Sequence, residues 1–463
     1  MQCAEWILQR NQQTQNELAS RFIDRNYQKV RFVTKWGKWL VWDGRRWRID
    51  DNDIISMRLA RQFSNELWDS FGKVAKELDG REELRRLHAF LKSANELHSI
   101  GAFLKLARSD ERIAIRFEDL NCHPYYLNVR NGTLDLKSGT LRPHCQDDLL
   151  TQLGDVEFHA DAKCEKWDKT LSDIFKQDRE LIGYVRTLLG YSISALQGEH
   201  ILPIAYGSGC NGKSTVWNVI SGILGDYAGL ANDSLVLGHK DSHPTEKAFL
   251  YQKRFVPISE PEQSARLRES RVKELTGDGL ITARRMHEDF WSFQRTHTFW
   301  LSTNHLPRII GNDEGIWRRL KLIPFAVDLR TLGEPIPELD KILVREEGPG
   351  ILNWLLQGFQ DYESFGFVEP EVVRDATASY RQEEDELGNF ITECCEVSCT
   401  QMASASQLFD RYERWGGKKS KTAFGRAMGE RFQKDKAMAG EYRKQTVYYG
   451  ISLVKNDSSE GAF

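Results

Sequence analysis

Residues 201–225 read ILPIAYGSGCNGKSTVWNVISGILG, and this stretch decides the fold. The apolar run 201–206 has the length and composition of a buried strand. Gly207 to Ser214 then complete a GxxxxGKS match, after which Val216, Val219, Ile220, Ile223 and Leu224 share one helical face that Gly225 ends. Glycines let backbone N–H groups converge on phosphate oxygens at a helix N-terminus, the lysine reaches the terminal phosphates, and the hydroxyl can hold Mg2+. A chance match in a turn would lack the strand before and the helix after. Gly207, Gly209, Asn211, Gly212, Lys213, Ser214 and Thr215 are therefore the expected ATP-binding residues, with Ser214 as the magnesium ligand.

Outward from this loop, residues 200–328 alternate apolar strands with helices, the pattern of an α/β nucleotide-binding core. The next strand, RFVPIS (254–259), runs into Glu260, a carboxylate placed to activate water or support the metal. Pro257 is awkward there, because a central strand loses a ladder hydrogen bond at proline. A third strand, THTFWLST (296–303), ends at Asn304, whose amide can hold the attacking water or the γ-phosphate. Arg318 and Arg319 precede the apolar run LKLIPF, where a guanidinium at a subunit edge can serve as an arginine finger; a solvated pair is the bland alternative.

The whole chain has 463 residues, enough for several domains, with ordinary globular proportions of 40% hydrophobic and 28% charged residues. Its net charge of −3 means that any nucleic-acid surface must be local. No apolar run approaches the length of a membrane span and the first residues lack a signal-peptide layout, so a cytoplasmic protein is expected. Eight cysteines without a CxxC pair suggest neither a disulfide framework nor a zinc ribbon.

Residues 21–50 carry nine Lys/Arg against three Asp, interleaved with Trp36, Trp39, Trp42 and Trp47. They read as a β-hairpin, with the tryptophans packing a small sheet in preference to stacking on nucleic acid. Helical spacing follows over 54–108, hairpin turns at Asn131-Gly132 and Ser138-Gly139, and helical spacing again over 165–196. Residues 329–350 read as a linker with a short helix, and 351–362 as a helix. Ten acidic and two basic residues over 363–396 give way to eleven Lys/Arg and five Asp/Glu over 401–450, which marks a separate C-terminal module. The expected division is 1–150, a mixed α+β region; 151–196, a helical collar; 197–330, the ATPase core; 331–385, a helical linker; and 386–463, a winged-helix module.

The order GSGCNGKST, VPISEPE, KELTGDGLITARRMHEDFWSF (273–293), WLSTNHLP and GIWRRLKLIPF resembles the superfamily 3 helicase module of phage, plasmid and poxvirus primase-helicases, an AAA+ ring motor. The resemblance covers roughly 120–360, and both ends more weakly. It implies Lys213 and Ser214 on phosphate and Mg2+, Glu260 as the catalytic carboxylate, Asn304 as sensor, and Arg319, with Arg318 second, as the finger. The family's channel hairpin maps to about 280–291, which makes Lys273, Arg284, Arg285 and His287 the DNA contacts there. Two departures stand out: Ser259 replaces a first acidic residue common in this motif, and His287 stands where lysine is common. The C-terminal module resembles the winged-helix tail of phage primases, with Lys418, Lys419, Lys421 and Arg426 facing DNA phosphates. Asp50-Asp51-Asn52-Asp53 is a polar turn and no primase domain is expected.

The implied activity is an ATP- and Mg2+-dependent DNA helicase, a homo-hexameric ring on single-stranded and duplex DNA. It would serve a phage, plasmid or integrated element in a bacterial host, with a separate primase as partner. An origin-binding initiator that uses ATP as an assembly switch, or a packaging or remodelling ATPase, also fits the residues.

Overall fold

Four short runs rich in Ile, Leu, Val and Phe form the central sheet: β1 (Leu202–Tyr206), β2 (Phe255–Ile258), β3 (Thr298–Thr303) and β4 (Leu320–Pro324). All are parallel, in the order β4–β1–β3–β2, and nearly every residue is buried, as expected of a sheet covered on both faces. Bridges from Ala228 and Ala231 to β2 add a short edge segment beyond it. The computed structural model describes residues 5–78, 80–238, 244–258, 265–284, 289–309, 313–437, 442 and 444–454.

Pro257 finds its place through that edge. The Thr298 N–H donates to the Arg254 carbonyl, so residues 254, 256 and 258 pair with β3, whereas Ala231 N–H donates to the Pro257 carbonyl on the other side. The missing N–H therefore faces the short 228–231 segment and leaves the ladder between β2 and β3 intact.

The helix α1 (Lys213–Leu224) follows β1 and buries Val216, Val219, Ile220, Ile223 and Leu224, the stripe read from the sequence. Around it pack the helices Glu165–Ile174 and Arg179–Tyr191 and a 27-residue helix, α2 (Leu339–Phe365). The sequence reading of a linker with a short helix over 329–350 and a separate helix over 351–362 is corrected here, because one helix, α2, runs through Pro349. Leu343 before the proline and Ile351, Leu352, Leu355 and Phe359 after it all enter the same core. That packing outweighs the roughly 3 kcal/mol cost of an interior proline. Helix Arg179–Tyr191 meets α2 so closely that a Cβ on Gly190 would lie 2.2 Å from the Phe359 backbone nitrogen.

The N-terminal region holds strands Val30–Val33, Lys38–Trp42 and Trp47–Ile49 as an antiparallel meander, with Ala114–Ile115 added in parallel. Trp39 and Trp47 are fully buried, so the tryptophans do pack the sheet. Helices Gln15–Asn26, Ile54–Val74, Arg81–Ala94 and Leu97–Ala107 cover it. The polar turn at 50–53 opens the second of these: the buried Asp50 carboxylate accepts from Ile55 and Ser56 N–H at 2.8 and 2.7 Å. Strands Tyr126–Val129, Gly132–Asp135 and Thr140–Arg142 form a second meander through the two expected glycine turns.

The last module has its own core. It runs helix Glu386–Cys394, strand Cys395–Ser404, helices Ala405–Trp415 and Lys421–Arg431, then strands Lys434–Lys436 and Thr446–Leu453 in one antiparallel sheet. Gly190→Ala should destabilise the chain by about 1–3 kcal/mol, because the new methyl meets backbone that cannot rotate away. A lowered urea midpoint checks this; an unchanged midpoint would mean that the two helices can part without cost.

Candidate nucleotide and nucleic-acid sites

The glycine loop leaves β1 at Tyr206 and enters α1 at Lys213, so it lies at the C-terminal edge of the parallel sheet, where open α/β sheets bind ligands. Gly207 is forced: a Cβ there would lie 2.2 Å from the Phe325 carbonyl oxygen. Gly212 takes a left-handed φ of 86° and hands the chain to the helix. Asn211 turns inward: its Nδ2 donates to the Phe325 carbonyl at 3.0 Å, so it shapes the loop from inside. Gly209 lies open, Ser214 is exposed on the first helical turn and Thr215 is half-buried beside it.

Lys213 is the link to the third strand. Its buried ammonium donates to the Gly207 carbonyl (2.6 Å) and to Asn304 Oδ1 (3.0 Å) at the end of β3. Two residues 91 positions apart, picked out separately from the sequence, thus meet at one point. From Ser214 a cavity of about 440 Å3 extends between α1 and the strand ends, lined by Trp217, Asn218, Leu230, Pro257, Ile258 and Ser302. Leu230, 71% exposed at its rim, was not singled out in the sequence. Glu260 lies outside the described residues. The loop suits a triphosphate: it is shaped by glycines, begins a helix, and offers a lysine and an exposed hydroxyl.

The arginine pair separates sharply. Arg319 is 6% exposed; its Nε donates to Thr276 Oγ1 at 3.1 Å and its Nη1 to the Gly315 carbonyl. Burial lowers its pKa, with the neighbouring Arg318 charge adding to the effect. Arg318 is exposed. The residue ranked first as a finger in the sequence is therefore built into its own core, and the one ranked second lies at the surface.

The expected DNA contacts lie in different settings. Lys273 is ion-paired with Asp313, which caps the short helix Glu314–Trp317, and that lysine holds the Asp313 carboxyl below its ordinary range. Strands Ile281–Ala283 and Trp291–Phe293 do form the expected hairpin. Arg284 leaves it with its guanidinium carbon 5.1 Å from the centre of the half-exposed Phe290 ring. Arg285 and His287 lie outside the described residues. In the last module Lys418, Lys421 and Arg426 are exposed, whereas Lys419 is held 3.6 Å from Glu386. Among the described residues no group of three His, Cys, Asp or Glu side chains could hold a metal, and no helix is long and apolar enough to cross a membrane.

At the other end of β3, His297 is completely buried between Arg295 and the Leu275 backbone, and burial pushes its pKa down to about 3. Its folded pKa lies below the unfolded value of about 6.5, so its contribution is complete above pH 6.5 and is lost as pH falls towards 3. The loss should approach ~1.4 kcal/mol per pH unit. His297→Gln should flatten the decline in urea midpoint between pH 6.5 and 5; equal slopes would assign that decline to other groups.

Residues 19–176 match the family described as D5 N terminal like, and residues 205–319 match a family of unknown function, DUF5906. A protein of Acanthamoeba polyphaga mimivirus, provisionally named a helicase, is 24% identical over 401 residues, which is 79% of this chain and 42% of that one. An African swine fever virus protein, provisionally named a primase, is 24% identical over 328 residues, 64% of this chain and 34% of that one. A Frog virus 3 protein, provisionally named a helicase, is 22% identical over 230 residues, 45% of this chain and 23% of that one. The chain thus spans less than half the length of these relatives. The fold is similar to that of the apo C-terminal region of NrS-1, with a TM-score of 0.50 at 12% identity, covering 91% of this chain and 96% of that one. Over parts of their length the chain is thus similar to viral proteins provisionally named helicase or primase.

Proposed function

We propose that the chain is an ATP-dependent DNA helicase that works as a ring on single-stranded DNA during replication of a viral or mobile genome. One observation carries the reading: the Lys213–Asn304 hydrogen bond, which joins the glycine loop to the end of the third strand beside an exposed Ser214. In this reading Lys213 binds the β- and γ-phosphates, Ser214 holds Mg2+, Glu260 is the catalytic carboxylate, and Asn304 orients the attacking water. The metal, when bound, neutralises charge that develops on the phosphates. Arg318 completes the site of a neighbouring copy, and the ring is hexameric.

The relatives' names divide between helicase and primase, and the residues favour the former. Asp50 is committed to capping a helix, while the GSGCNGKS segment has the strand, left-handed glycine and helix that a phosphate cradle needs. For DNA, the hairpin that carries Arg284 contacts a single strand, joined by Arg285 and His287. The C-terminal module, in the element order of a winged helix, presents Lys418, Lys421 and Arg426 to duplex.

ATP-driven unwinding of a forked duplex tests the whole reading. Lys213→Ala should abolish unwinding and hydrolysis, and Asn304→Ala should slow hydrolysis with little change in nucleotide affinity. A wild-type chain that binds DNA and hydrolyses ATP without unwinding would be an initiator or remodelling ATPase instead.

An arginine finger supplied in trans typically contributes about 10³–10⁵ in rate. Mixing inactive Lys213→Ala with inactive Arg318→Ala chains should therefore restore part of the ATPase activity, through interfaces that pair an intact loop with an intact finger. Recovery with Arg319→Ala in place of Arg318→Ala would reverse the assignment.

A further inference from the structure

The tryptophan-rich hairpin of the N-terminal region is not needed by the proposed motor, yet one of its rings reaches the motor's DNA hairpin. Trp36 sits in the turn between strands Val30–Val33 and Lys38–Trp42. Its ring centre lies 6.0 Å from Phe117, 5.7 Å from Tyr251 and 6.5 Å from Trp291. Phe117 and Trp291 are themselves 5.6 Å apart edge to face, and Tyr251 lies 4.8 Å from Trp291 and 5.4 Å from Phe293. The Tyr251 hydroxyl donates to the Phe117 carbonyl at 3.1 Å, which closes the group.

Trp291 and Phe293 belong to the returning strand of the 281–293 hairpin, which pairs over only three residues on each side. A two-stranded ribbon of that length is not stable by itself in water and takes its order from what it packs on. Its inner face is Ile281, Ala283, Trp291 and Phe293, all buried, while Thr282 and Ser292 face outward and bond to each other. Four rings pack on Trp291 itself, Trp36, Phe117, Tyr251 and Phe293, and the first two precede the ATPase core by at least eighty residues of chain.

We infer that Trp36 is a positioning residue for the DNA hairpin: the N-terminal region braces the root of that hairpin and so sets how DNA binding is felt by the ATPase. The role in DNA response rests on the function proposed above; the brace itself does not. Trp36 meets Trp291 and Tyr251 edge to face and stacks on Phe117, so its loss removes one ring contact of the ribbon itself and two with the rings that pack around it.

The test is hydrogen exchange on the full chain without nucleotide or DNA. In Trp36→Ala the amides of 281–283 and 291–293 should exchange at least ten-fold faster, with β3 protected as before; Trp36→Phe should recover most of the protection. Unchanged hairpin exchange, or equal loss in β3, would overturn the brace. In ATPase assays, Trp36→Ala should leave basal turnover within about two-fold and cut stimulation by single-stranded DNA at least five-fold, with Trp36→Phe again restoring it. An equal fall in basal and stimulated rates would reduce Trp36 to a structural residue. A wild-type chain without any stimulation would instead fail the helicase reading, while the exchange result stands or falls separately.

Discussion

Two buried arginines, with no carboxylate partner among the described residues, tie the bottom of the sheet to the segments around it. Arg254, just before β2, donates to the carbonyls of Ile193 (2.7 Å) and Tyr126 (2.5 Å) and lies 4.6 Å from the Tyr227 ring centre. Arg295, just before β3, donates to the carbonyls of Gln197, Glu199, Gly277 and His297. Burial lowers the pKa of both. A buried cation is tolerated only while its hydrogen bonds are made, so each guanidinium demands that every segment whose carbonyl accepts from it be in place together. The second meander, the helical collar and the sheet are in this way obliged to form one body.

Locking that end of the sheet leaves the opposite end for chemistry. All four strands run the same way, so their C-terminal ends collect on one edge, and side chains far apart in sequence converge there. Lys213 is held by a carbonyl from its own loop and an amide from β3. The register that brings Asn304 to it is that of β3 on β1, where Leu301 lies opposite Ile204 and Thr303 opposite Tyr206. Arg295, just before β3, anchors the other end of that strand.

What was legible in the sequence was local. The glycine loop with its strand and helix, the helical character of 54–108 and the turns at Asn131-Gly132 and Ser138-Gly139 follow from spacing and turn chemistry alone. What was not legible depends on tertiary contact. Arg318 and Arg319 are chemically identical in sequence, and only the fold shows that Thr276 and Gly315 hold one of them. Pro349 reads as a helix stop until the apolar residues on both sides are seen to enter one core. Pro257 reads as a defect until the 228–231 edge is found beside it. Trp36 could be assigned to a packed sheet, yet nothing in its neighbours pointed to a partner 255 residues away at Trp291.

The sign reversal between 363–396 and 401–450 also means more in three dimensions than a boundary. Asp385 caps helix Glu386–Cys394 and pairs with Arg431 at 2.7 Å; Glu386 accepts from Tyr412 Oη at 2.7 Å and from the Lys418 N–H, and faces Lys419. The acidic segment thus neutralises part of the basic module that follows it. Lys418, Lys421 and Arg426 stay exposed, and among the described residues none of the three is in an ion pair. In the proposed function, a module whose positive charge is partly matched by its own linker would hold phosphate through only a few cations. Its affinity for nucleic acid would then fall less steeply with salt than its basic count implies, since each released counterion must come from a contact actually made.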